Sequence, residues 1–189
     1  MDNSLLVIAV IGILIIIFGL YGLYVNVVKA KNAVYEALSS IDIQLKKRYD
    51  LIPNILTIAK KFMEHERGVF EKITELRALA MKAKSGSQEK FKTEAMLDTE
   101  LRALMVNVEN YPTLKSDASM MQAMQTYNEV EEHIAASRRF YNSALTQLRN
   151  LIQIFPGSLF AGCAGNAADL SYFETDAASR QPVNASNFL

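Results

Sequence analysis

The sequence predicts an all-α protein in which an N-terminal transmembrane helix continues into an antiparallel four-helix bundle of long helices. Three observations carry this expectation. Leu5 to Val28 contains no charged residue. Beyond it, apolar residues recur at spacings of three and four, with no strand-like alternation. Met, Ala, Leu and Glu are plentiful while Pro is scarce and Trp absent, a composition that favours helix. The expected divisions are a flank over 1–4, an anchor over 5–28, a helical bundle over 29–160 and an irregular C-terminal tail over 161–189.

The anchor is judged by length. At about 1.5 Å per residue, two dozen helical residues cross the roughly 30 Å hydrocarbon layer with some tilt. Gly12, Gly19 and Gly22 are acceptable in a membrane span, and Tyr21 and Tyr24 sit where an aromatic interface belt falls. A cleaved signal peptide would need a basic start, a shorter apolar core and a small-residue cleavage site. Met1-Asp2-Asn3-Ser4 and the long core fit an uncleaved anchor better. Lys29 and Lys31 follow the span, and only the terminal amine precedes it, so the positive-inside rule places the C-terminal bulk in the cytoplasm.

After the membrane exit the same helix is expected to run to Tyr49, burying Val34, Leu38, Ile41 and Leu45. Lys46, Lys47 and Arg48 then fall in its last turn, where cations suit the helix dipole. The cluster would lie roughly 30 Å beyond the membrane, well outside a Debye length of about 8 Å, so it reads as a solvated helix end rather than a headgroup site. Asp50 is placed to cap a second helix with Pro53 in its first turn. That helix would bury Ile55, Ile58, Phe62, Val69, Ile73, Leu76 and Ala80.

Ser85-Gly86-Ser87 marks a break, and Thr93 reads as the next N-cap. Leu97, Leu101, Leu104 and Val108 carry the third helix to Tyr111-Pro112. The last helix starts at Ser116 or Asp117 and runs to Pro156, centred on Tyr127, Ile134, Tyr141 and Leu148 at heptad spacing. Leu159-Phe160-Ala161 suggests a short turn, the glycines Gly162 and Gly165 a loop, and the chain past Glu174 an extended tail.

Charge excludes one broad class. Lys+Arg and Asp+Glu both number 20, so the surplus of cations that nucleic-acid binding requires is missing. No catalytic constellation stands out. His65 and His133 belong to no HExxH pair, and Phe62 and Val130, three residues before them, rule out Glu-x-x-His motifs. Cys163 is alone, with no neighbouring His, and no glycine-rich phosphate loop follows a strand. No metal and no cofactor is expected.

The more informative residues are polar ones on apolar stripes. Glu66 falls between Phe62 and Val69, and Glu131 and Arg138 flank the Tyr127–Ile134–Tyr141 line. They read either as stripe edges with heads in water or as a buried Glu–Arg–Tyr network that fixes helix register. Such a network needs full pairing to offset its desolvation.

Several stretches together resemble the LemA family. Ile43-Gln44-Leu45-Lys46-Lys47-Arg48-Tyr49-Asp50-Leu51-Ile52-Pro53-Asn54 is the most characteristic. It is followed in order by His65-Glu66, Glu109-Asn110-Tyr111-Pro112-Thr113-Leu114-Lys115 and Arg138-Arg139-Phe140-Tyr141-Asn142. Phe155-Pro156-Gly157-Ser158-Leu159 and Tyr172-Phe173-Glu174 close the series. The run from Cys163 to Ser171 is richer in Ala and Gly than the family pattern, and the last dozen residues match it poorly.

The resemblance makes Gln44, Arg48, Asp50, Pro53, Tyr141 and Asn142 the motif residues to follow. It implies a membrane-anchored helical bundle of the bacterial inner membrane, without an assigned reaction or cofactor. The expected function is a non-catalytic scaffold or adaptor of the cell envelope. Its expected partners are the lipid bilayer through residues 5–28, other membrane or envelope proteins and, through the glycines of the span, a second copy of the chain. Membrane remodelling, suggested by relatives tied to magnetosome formation, is the alternative; an enzyme using Cys163 is the second.

Overall fold

The computed structural model describes residues 3–173. Among these, the chain is helical with no strand: α1 spans Asn3–Ala59, α2 Arg67–Lys82, α3 Gln88–Val108, α4 Pro112–Lys115 and α5 Ala118–Gln153, followed by a 3₁₀ helix over Gly157–Ala167. The all-α class and the long N-terminal apolar helix stand. The tail expected to be extended past Glu174 lies outside the described residues, as do the first two residues of the N-terminal flank.

The helix expected to end at Tyr49 does not end there. α1 continues for 57 residues with Pro53 inside it, and the chain first turns at Lys60–Glu66. Two features override the proline. Ile52, Ile55, Leu56 and Ala59 are buried and extend the face of Ile41, Leu45 and Arg48 at helical spacing. Pro53 lacks the N–H that would bond the Tyr49 carbonyl, and Arg77 Nε donates to that oxygen instead, at 2.8 Å. Asp50 is therefore no cap; it is exposed mid-helix and pairs with Lys46 at 2.7 Å.

Three further boundaries differ from expectation. α3 is capped by Ser87, whose hydroxyl accepts from Lys90 N at 3.1 Å, while the Thr93 hydroxyl donates to the Glu89 carbonyl inside the helix. A residue already within a hydrogen-bonded turn has no orphan N–H to satisfy. α3 stops at Val108, and Pro112 opens α4 at a helix start, where its missing N–H costs nothing. The glycine-rich stretch after Pro156 forms 3₁₀ turns, with Gly165 (φ 54°) supplying the left-handed kink within them. The start of α5 is as expected, with Asp117 Oδ1 accepting from Met120 N at 3.0 Å.

The described residues form two compact units: residues 3–40 with 139–170, and residues 41–138 with 171–173. In the first unit, Val27, Val34, Ala37 and Leu38 of α1, Tyr141, Leu145 and Leu148 of α5, and Ala164 and Ala167 of the 3₁₀ helix are buried. Lys31 Nζ donates to the Cys163 carbonyl at 3.2 Å, and Tyr24 meets Phe160 edge-on with ring centroids 6.2 Å apart. Gly157 is obligatory: a Cβ there would lie 2.0 Å from the Leu151 carbonyl oxygen.

From Leu5 to Phe18, by contrast, the large apolar side chains of α1 stand open. Among the described residues, α1 is the helix long and apolar enough to cross a membrane, with a mean hydropathy of 2.9 over its best window and none of that window buried by them. In the second unit α2 packs on α3. Its buried residues include Ile41, Leu45, Ile52 and Ile55 of α1, Phe70, Ile73 and Leu76 of α2, Leu97, Leu101 and Leu104 of α3, and Tyr127 and Ile134 of α5.

Candidate functional site

The second unit holds an ionic cluster centred on Arg48. Its position is legible as a break in pattern: Arg48 interrupts the stripe Ile41–Leu45–Ile52–Ile55, and Glu94 begins the stripe Leu97–Leu101–Leu104–Val108. Each polar side chain thus projects from the apolar face of its helix, and both are 0% exposed.

Arg48 Nη2 pairs with Glu94 Oε2. Its Nη1 donates to Glu131 Oε1 at 2.9 Å and lies 3.8 Å from Asp98 Oδ1. The other Glu94 oxygen accepts from the Tyr49 hydroxyl. One guanidinium from α1 therefore faces two carboxylates of α3 and one of α5, and Asp98 also accepts from Arg102 Nε at 3.1 Å. Nearby, Asp42 binds Lys90 Nζ at 3.0 Å and the Ser85 hydroxyl.

Electrostatics reinforce this pairing. Burial alone would lower the proton affinity of Arg48, but Glu94, Glu131 and Asp98 reverse it and the pKa is raised. The Tyr49 phenol is also raised, by burial and then by the Glu94 charge. Tyr127 is raised for the same kind of reason: burial first, then Glu131 and Asp98. Its hydroxyl is buried and finds no hydrogen-bond partner among the described residues. Both tyrosines stay neutral, and the arginine stays charged.

The sequence-predicted residues scatter around this centre. Glu131 joins it; Glu66 does not. Glu66 sits at the N-terminus of α2, where its backbone carbonyl accepts from Val69 and Phe70. Arg138 stands beside the cluster without an ion pair to it: its guanidinium lies 4.2 Å over the Phe173 ring, and its Nε and Nη2 are buried and unpartnered among the described residues. Burial lowers its pKa, and the Arg48 charge adds to the effect.

The Lys46-Lys47-Arg48 run is not a solvated helix end as a whole. Lys46 and Lys47 are exposed, but Arg48 points into the core, because the three positions point about 100° apart around the helix. Gln44 is half-buried with Oε1 unpartnered, and Pro53 is exposed. Tyr141 and Asn142 belong to the first unit, Tyr141 fully buried and Asn142 half-buried. The cysteine of the sequence, Cys163, is half-buried; His65 and His133 are exposed in the second unit.

Chemically, the cluster is a closed clasp. Its central cation and first carboxylate are inaccessible to solvent, and its carboxylates come from two successive turns of α3 and from α5. Together with the uncovered apolar stretch of α1, this defines, among the described residues, an all-α fold with one helix long and apolar enough to cross a membrane and an internally ion-paired core. The family comparison agrees: the LemA family model matches residues 37–186, and the chain belongs to the LemA family. The match runs past Glu174, where the motif resemblance ended. No curated protein matches the chain.

Proposed function

We propose that this protein is a single-pass, non-catalytic scaffold or adaptor of the bacterial cytoplasmic membrane, anchored through residues 5–28 and presenting its helical surface to other envelope proteins. The observation that carries this reading is the contrast within α1. Its first turns expose Leu5, Ile8, Ile15 and Phe18 with no protein cover, whereas the turn bearing Arg48 is sealed by acidic partners. Apolar surface of that extent calls for lipid. The sealed cluster supports a role in holding helix register rather than in meeting a substrate.

Lys29 and Lys31 favour a cytoplasmic location for the chain beyond the span. Gly12, Gly19 and Gly22 have open space around them, which suits close approach of a second copy within the bilayer.

The test is site-specific photo-crosslinking in native membranes, with the probe at exposed Glu71 or Glu132. A reproducible adduct to an envelope protein or to a second copy supports the scaffold. Absence of any reproducible adduct from either site sinks it, and tubulation of vesicles by the purified protein would favour membrane remodelling instead. Protease protection in spheroplasts against inverted vesicles decides the orientation.

A further inference from the structure

The turn that follows α5 carries apolar surface that the first unit leaves open. Ile154 is 64% exposed, Phe155 76% and Leu159 65%. The Ser158 N–H donates to the Ile154 carbonyl at 3.1 Å and the Leu159 N–H to the Pro156 carbonyl at 3.2 Å, so all three belong to one tight turn. No charged residue occurs between Arg149 and Asp169, in a chain that is 21% charged. A solvated loop of that length would ordinarily carry charges.

The turn has a defined level along α1. From Leu5 to Tyr24 the helix rises about 29 Å at 1.5 Å per residue, close to the roughly 30 Å hydrocarbon thickness, so Tyr24 stands at its rim. Phe160, next in sequence to Leu159, packs edge-on against Tyr24. Further from the span, Lys31 holds the Cys163 carbonyl. The 3₁₀ helix is thus pinned to α1 at two points, and its approach to Tyr24 brings the Ile154–Leu159 turn to the membrane rim.

We propose that this turn is a second membrane contact: Ile154, Phe155 and Leu159 insert into the headgroup–acyl boundary beside the anchor. The occupant of the patch is lipid, because Phe160, next to the patch, packs on Tyr24 at the rim of the span and the patch lacks charge. Gly157 fixes the presentation, since its backbone lies against the Leu151 carbonyl too closely for any side chain. The inference rests on the anchored reading above and adds to it an in-plane foot that limits rotation of the first unit about the span.

The chain has no tryptophan, so single-Trp variants report cleanly. Full-length Phe155→Trp, Leu159→Trp and, as a monitor of the anchor, Phe18→Trp are reconstituted into phosphatidylcholine–phosphatidylglycerol vesicles. These carry nitroxide lipids labelled either near the headgroup or near the chain end. The proposal expects Phe155→Trp and Leu159→Trp to emit to the blue, to lose accessibility to acrylamide, and to be quenched most by the headgroup-proximal label. Phe18→Trp should be quenched most by the deep label.

If Phe18→Trp behaves so while the two turn variants stay acrylamide-accessible and unquenched by lipid, the foot is overturned and the anchor survives. Turn variants shielded from both acrylamide and lipid label would mean that protein covers the patch, which also overturns the proposal. Loss of deep quenching at Phe18→Trp would remove the anchored reading and the foot with it.

Discussion

Arg77 Nε donates to the Tyr49 carbonyl at 2.8 Å, the oxygen that Pro53 leaves without its helical partner. A charged donor on a part-buried carbonyl that lacks its helical partner is worth about 1.5–3 kcal/mol at most, so Arg77→Ala is expected to destabilise the second unit by up to about that much. Pro53→Ala restores the missing N–H. In that background the Arg77→Ala loss should shrink by about half or more. Denaturant unfolding in detergent, followed by helical circular dichroism, measures the coupling; additive losses would disprove it.

Arg48 and Arg138 should differ sharply despite similar surroundings. Arg48→Met strands Glu94 and Glu131 in the core, and breaking a buried pair from one side costs about 3–5 kcal/mol. Arg138→Met forfeits the Phe173 ring contact and a longer-range attraction to Asp98, Glu131 and Glu94, while removing repulsion from Arg48 and two nitrogens without partners among the described residues, so it should remain within about 1 kcal/mol of the parent. Equal losses in the two variants would contradict the assignment of Arg48 as the centre.

Tyrosine ionisation sets the alkaline limit. Tyr49 and Tyr127 both have pKa values raised above the ordinary 10.0 in the folded chain. The unfolded chain therefore releases their protons first. The stability they contribute is complete below about pH 10 and falls as pH rises beyond it. Tyr127→Phe removes a buried hydroxyl with no partner among the described residues. It should leave stability at pH 7 unchanged or improved, and it should flatten the decline above about pH 10. A steeper decline in this variant would be the contrary result.

Helix capping separates two residues of similar chemistry. Ser87→Ala removes the acceptor of the Lys90 N–H and is expected to cost about 1 kcal/mol. Thr93→Ala, inside α3, removes a hydroxyl that only back-bonds to Glu89 and should change stability by less than about 0.5 kcal/mol. Paired denaturation curves decide the matter.

Glycines give the last contrast. Gly157→Ala drives a methyl to 2.0 Å from backbone that cannot yield, and overpacking of this sort costs about 1–3 kcal/mol. Gly19→Ala meets open space and should leave the fold intact. Limited proteolysis after the Pro156 turn should speed up in the first variant and not in the second.

Much of the architecture is legible in the sequence because it depends on periodicity. The stripes at Leu97–Leu101–Leu104–Val108 and Tyr127–Ile134–Tyr141–Leu148 are buried as their spacing demands, and Asp117 caps as its side chain suggests. The break expected at Tyr49–Asp50 is misplaced because a proline in a first turn and a proline inside a helix look the same locally. What distinguishes them is a hydrogen bond from Arg77, 28 residues away.

The site is half legible for a related reason. A Glu–Arg–Tyr network is one of two readings of the stripe residues, and of Glu66, Glu131 and Arg138 only Glu131 joins the ionic cluster, which centres on Arg48. Reading Lys46-Lys47-Arg48 as one basic end hides the fact that Arg48 alone continues the Leu45–Ile52 stripe. Glu94 and Asp98 escape notice because a carboxylate on a helix is ordinarily solvated, and only the position of Glu94 three residues before Leu97 marks it as inward-facing.

The span of 83 residues between Arg48 and Glu131 has a consequence for how the chain is made. At about 5–20 residues per second, translation leaves Arg48 without its α5 partner for roughly 4–17 s. Glu94, only 46 residues on, is made well before Glu131, so the clasp is assembled in two stages, first between α1 and α3 and then by α5.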